Sequence, residues 1–203
     1  MTSTRHHRAT RRLVPAVAVL AGLAFLAACG SSSSSGHHEA SSGAGTSPIA
    51  HNAADVTFAT DMIPHHTQAV EMADMALKAA VDPEIKSLAQ AIKGAQKPEI
   101  TTMAGWLTAW KVPAPSAEMG HAQHAGMGMM SEVDMAALAK ASGPAFDTMW
   151  VAMMTRHHTS AIEMARTEIK DGRYPDAKAL AQRIVSSQSV EVKQMIAIAK
   201  RLS

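Results

Sequence analysis

One pattern of potential ligand side chains occurs twice in this 203-residue chain. The first copy holds Met62, His65, His66, Thr67, Ala69, Glu71, Met72 and Ala73. The second holds the same types at Met154, His157, His158, Thr159, Ala161, Glu163, Met164 and Ala165. On a helix, residues four apart share a face, so Met62 with His66, and Met154 with His158, have chelate spacing. Adjacent histidines spread about 100° around the axis. One ring of each pair is therefore expected to look into a helix bundle and the other toward its flank. Met72 and Met164 lie two turns further on, about 10 Å of rise from His65 and His157, a spacing suited to a neighbouring site.

A second cluster adds Met119, His121, His124, Met127, Met129 and Met130, separated mainly by Gly and Ala. Such a segment has little to bury and many donor atoms. Imidazole with thioether is a donor set for copper, Cu(I) in particular. Zinc is expected with Cys/His or His/carboxylate sets, and a di-iron centre with Glu-x-x-His on facing helices. The one Glu-x-x-His present, Glu118 to His121, falls in the connecting loop. No nucleophile–base constellation is evident, so no catalytic residue is assigned. The alternative is structural: the histidines could bond Glu71, Glu163, Gln96 or Gln188 and fix the register of a metal-free scaffold that binds another protein.

The elements that position these residues follow from the repeat. Residues 62–110 laid on 154–202 need no gap and give 18 identities in 49 positions. That is one two-helix unit used twice. Strand-like alternation is absent, and Ala, Met, Leu, Lys, Glu and Gln favour helix. The spacing predicts helices over about 53–79, 82–110, 144–170 and 175–202, with Asp82 as an N-cap and Pro83 at the first helical position. Bends are expected at Pro64 and Pro98. Ser131 with Asp134 opens a short further helix. The expected fold is all-α: a four-helix bundle of two hairpins, repeats 52–110 and 144–202, joined by the Met/His-rich connection 111–131. With three Phe, three Trp and one Tyr, the core must be filled by Ala, Leu, Ile and Met.

Residues 1–28 read as a signal peptide, with Arg5, Arg8, Arg11 and Arg12 before an apolar run. The run ends Leu26-Ala27-Ala28-Cys29-Gly30, as in a lipobox, so Cys29 is the expected lipidation site and membrane anchor. Residues 29–51 form a Ser/Gly-rich tether, with His51 a solvated linker residue. Loss of the four signal arginines from 19 Lys plus Arg leaves 15 against 17 acidic residues. The mature part is thus near −2, which argues against nucleic acid as a partner. The remaining expected partners are a metal ion and the membrane, with an envelope protein or a second copy left open. The location is exported, facing the periplasm or extracellular side.

The His-His-x-x-Ala-x-x-Met-Ala pattern in two helices, with Gly128-Met129-Met130-Ser131-x-x-Asp134-Met135 between them, resembles the domain of unknown function 305 family. The resemblance covers about residues 52–202. It implies a ferritin-like bundle in an exported bacterial protein and, for some members, copper binding and tolerance. By motif match it implicates Met62, His65, His66, Met72, Met154, His157, His158 and Met164.

Overall fold

In the computed structural model the described residues are 50–115 and 128–203. The signal segment, Cys29 and most of the tether lie outside them. The described residues form five helices: α1 (Ala53–Ala79), α2 (Pro83–Ala109), α3 (Glu132–Lys140), α4 (Gly143–Asp171) and α5 (Pro175–Leu202). The four long helices match the sequence expectation to within one or two residues, and α1 and α2 run unbroken through Pro64 and Pro98. Helices α1 and α2 pack as one hairpin, and α4 and α5 as the other. Helix α1 also packs along α4, whereas α2 and α5 touch far less. The fold is therefore an all-α bundle whose centre is the α1–α4 contact. Fully buried Ala69, Ala73, Ala161 and Ala165 line the inner faces of α1 and α4. Among the described residues, no helix is long and apolar enough to cross a membrane.

Local chemistry starts each helix. Asn52 and Asp55 form a reciprocal capping box at α1, and Ser131 with Asp134 forms one at α3. Asp82 accepts from the amides of Glu84 and Ile85 at α2. Helix α5 has no side-chain cap of its own. Instead Asp55, on α1, accepts from the amides of Arg173 and Tyr174 at 3.0 and 2.8 Å. The repeat supplies the mirror image: Asp147, on α4, accepts from the amides of Val81 and Asp82 at 3.1 and 2.9 Å. Each hairpin thus pins the turn of the other. A charged acceptor is worth roughly 1.5–3 kcal/mol per bond, which makes these two buried aspartates the chief polar fasteners between the halves.

The apolar core is not continuous. One cluster takes Ala69–Ala80 of α1, Ile85–Ile92 of α2, Phe146–Met154 of α4 and Met195 and Ile198 of α5. The other takes Phe58–Met62, Met103 and Leu107, Ala161 and Ala165, and Ala177–Ile184. On every long helix a buried polar layer falls between the two: His65 and His66, Gln96, His157 and His158, and Gln188. Trp106, Trp110 and Tyr174 pack at the outer end of the second cluster. His51, expected as a solvated linker residue, is exposed but stacks on Trp110 with ring centroids 4.5 Å apart. A flat aromatic face close by is reason enough for the ring to settle there.

The halves differ at one conspicuous place. Glu168 stands where the first repeat has Ala76, and it is buried beside Asp55. A Cβ on Gly172 would come within 2.1 Å of its Oε1, so the glycine is what leaves room for the carboxyl. Burial, then the adjacent Asp55 carboxyl and its charge, raises the Glu168 pKa to about 8. The folded state therefore holds a proton that the unfolded chain gives up near 4.5. The stability this confers is complete below that value and lost as pH rises through about 8. The melting temperature should fall between pH 7 and pH 9, and Glu168→Gln, which keeps the shape but cannot ionise, should remove that fall. An identical decline in both proteins would contradict it.

Candidate metal centre

The 100° offset between neighbouring helical residues aims the two histidines of each pair at different helices. His66 turns to α2 within its own hairpin, where Nε2 lies 2.8 Å from Glu99 Oε2. His158 does the same toward α5, 2.8 Å from Glu191 Oε2. His65 and His157 turn to each other across the α1–α4 contact, with ring centroids 3.7 Å apart and planes 38° from parallel. His65 Nε2 lies 2.9 Å from Ser160 Oγ. The expectation that one ring of each pair would face the flank is corrected: all four are buried, none more than 1% exposed. The supposed flank is the interface with the other hairpin.

The partners fix where the protons sit. An ionised carboxylate only accepts, so His66 and His158 carry hydrogen on Nε2. Ser160 spends its own hydrogen on the His157 carbonyl at 2.8 Å, so its oxygen accepts from His65 Nε2–H. In all three rings the lone pair is then on Nδ1. Nδ1 of His66 and of His158 is buried without a hydrogen-bond partner, and neither nitrogen of His157 makes a hydrogen bond of ordinary geometry. Burial lowers the His66 pKa, against the opposing pull of Glu99. Burial, then the neighbouring His65, His158 and His66, pushes that of His157 well below the usual imidazole value. Burial thus favours the neutral form of His66 and His157, the protonation state a metal requires.

Magnitudes separate the structural role from the ligand role. A buried polar atom left unpaired costs about 1–3 kcal/mol, against a net stability of about 5–15 kcal/mol for a whole domain. Unpaired Nδ1 atoms on His66 and His158, together with His157, would consume a large share of that. Leucines would serve register at no such cost. A histidine that donates one nitrogen to a carboxylate and leaves the other bare has the arrangement of a metal ligand with its orienting partner. The buried, unpaired nitrogens and the neutral rings fit a soft or borderline cation.

Glu99 and Glu191 were not singled out in the sequence, although the repeat holds them in register and their match was the available signal. Glu71 and Glu163, the partners considered there, are exposed. Gln96 and Gln188 do lie in the buried layer, but their Oε1 atoms make no hydrogen bond. The methionines border the layer. Met62 and Met103 belong to one apolar cluster, Met154 and Met195 to the other, each fully buried and one turn from His66, Glu99, His158 and Glu191 respectively. Met72 is buried deeper in the first cluster. Met164 lines a cavity of about 370 Å³ with Thr57, Phe58, Asp61 and Glu168. Among the described residues no three His, Cys, Asp or Glu side chains converge on one point, so an ion here would draw on thioethers to complete its shell.

Of the connecting-loop candidates, Met119, His121, His124 and Met127 lie outside the described residues. Met129 and Met130 are not displayed on an open loop but buried at 7% and 3% exposure. The Met130 sulfur receives an Arg156 Nη2 hydrogen bond at 2.9 Å. A guanidinium at that distance competes with any other cation.

The sequence profile of DUF305, a domain of unknown function, matches residues 55–199. Among solved structures, CopM in its Cu(II)-bound form is 38% identical, with TM-score 0.66, over 73% of this chain and 97% of that one. CopM in its Cu(I)-bound form is 34% identical, with TM-score 0.60, over 72% and 96%. A Streptomyces coelicolor DUF305 protein described as secreted is 31% identical, with TM-score 0.67, over 73% and 93%. No curated protein sequence matches the chain. The buried paired-histidine bundle and the match across most of its length agree: this chain belongs to the DUF305 family.

Proposed function

We propose that this protein is an exported, lipid-anchored copper-binding protein that buffers or carries the ion through the buried histidine layer. The observation that carries the reading is the pair of unpartnered Nδ1 lone pairs on His66 and His158, each fixed by a carboxylate on the opposite ring nitrogen. Similarity to CopM, solved with Cu(I), Cu(II) and silver, supports copper as the cargo. His66 and His158 would supply imidazole, with His65 and His157 beside them. Met62 and Met154 would supply thioether, the softer donor that favours Cu(I). Glu99 and Glu191 orient the rings and balance positive charge brought into a low-dielectric layer. Met72 and Met164 would serve a neighbouring site. Residues 119–127, with two further Met and two His, would capture ions for the layer.

Competition titration against a Cu(I) chelator tests this. His65, His66, His157 and His158 changed together to Ala should abolish the tight site. Glu99→Ala and Glu191→Ala should each weaken it by about 10–100-fold, while Glu71→Ala and Glu163→Ala, on the exposed face, should leave it unchanged. If the quadruple histidine variant keeps the tight site, the layer is structural and the protein is better read as a metal-free scaffold. Export and anchoring have their own test. Cys29→Ser should move the protein from the membrane to the soluble fraction or stall its processing, and unchanged fractionation with unchanged mature mass would contradict lipidation.

A further inference from the structure

Within the histidine motif the repeat breaks its symmetry where Gln68 in the first copy corresponds to Ser160 in the second. Both residues meet the same piece of backbone, the segment Gly128–Met130 that ends the long connection. Gln68 clamps it through two buried bonds: its Nε2 donates to the Met130 carbonyl at 2.9 Å, and its Oε1 accepts from the Met130 amide at 2.7 Å. Gly128, at φ +75°, lies directly on Ser160, where an added Cβ would stand 2.1 Å from Oγ. That same Oγ holds His65. Arg156 adds a third hold, reaching both the Met130 sulfur and Asp134 of α3. The segment is thus strapped over the edge of the His65–His157 pair by side chains that the repeat did not need for packing. Ser160, in contact with His65, is only partly buried, and the strap rests on it.

We propose that the Gly128–Met130 strap, latched by Gln68, sets how fast an ion reaches and leaves the histidine layer. Gln68 is then a positioning residue that binds no metal itself. The inference rests on the copper-binding reading above. A latch of this kind stands in the path in both directions. Opening it should therefore change loading and release by the same factor and leave Kd alone. A ligand or a ligand's support would instead change release and Kd together.

The experiment measures Cu(I) loading and Cu(I) release to a chromophoric chelator by stopped flow on the full chain. Gln68→Leu keeps roughly the volume, removes both bonds and adds no donor atom. Gly128→Ala lifts the strap independently by collision with Ser160. Val133→Ala, on the exposed face of α3, is the control. Both strap variants should load and release faster by about tenfold, the factor set by roughly 1.4 kcal/mol, with Kd and helix content unchanged. Wild-type rates in both variants would overturn the proposal while leaving copper binding intact. So would faster release with a matching loss of affinity, which would make Gln68 a support of the bound state. A wild-type protein that takes up no Cu(I) would overturn the copper reading and the strap together.

Discussion

The structure depends on a buried histidine bonded to a buried-side carboxylate, made twice, in the middle of an otherwise apolar bundle. His66 with Glu99 and His158 with Glu191 sit where each long helix passes from one apolar cluster to the other. A polar layer there is a liability in stability terms, since the two halves of the core could have been one. Its presence constrains the rest. The helices must be long enough to build a sufficient core on both sides of it. The small residues of α1 and α4 let those helices approach closely enough to bring His65 against His157. The turns are pinned from opposite hairpins by Asp55 and Asp147, which resists sliding of one hairpin along the other.

Internal duplication explains both what is symmetric and what is not. Residues of the buried polar layer and its border, the four histidines, Glu99 and Glu191, Gln96 and Gln188, Met62 and Met154, are kept in both copies. Residues that face the one connection in the chain diverge, because only one copy can meet it. Gln68 and Arg156 bond its end, whereas Ser160 lies against it while holding His65, and Pro64 has no donor to reach it. Glu168, in place of Ala76, is a second divergence, far from the layer and coupled to Asp55.

Much of this was legible in the residues. Helix limits followed from Pro83, Pro175, Asp82 and the Ser131–Asp134 box because capping is local chemistry. The all-α bundle followed from the repeat, and membership of the DUF305 family from the paired histidines. The partners of the histidines were not legible in the same way. Glu99 lies 33 residues from His66 and meets it only through the hairpin, whereas Glu71, five residues from His66 in sequence, points to solvent. The burial of both rings in each pair was missed because a single helix was taken to have one inward face. In a bundle centred on α1 and α4, those helices have two. The two trans caps were missed because Asp55 and Asp147 fall outside the span over which the copies were compared.

The central claim is that His66 and His158 are each locked by a carboxylate with hydrogen on Nε2, leaving Nδ1 bare. Long-range nitrogen–proton correlation spectra of the imidazole rings near pH 7.5 read this directly. The account predicts the Nε2–H tautomer for His65, His66 and His158, with Nδ1 resonances of His66 and His158 shifting when Cu(I) or silver is added. Protonated rings, the opposite tautomer, or Nδ1 resonances indifferent to the ion would contradict it.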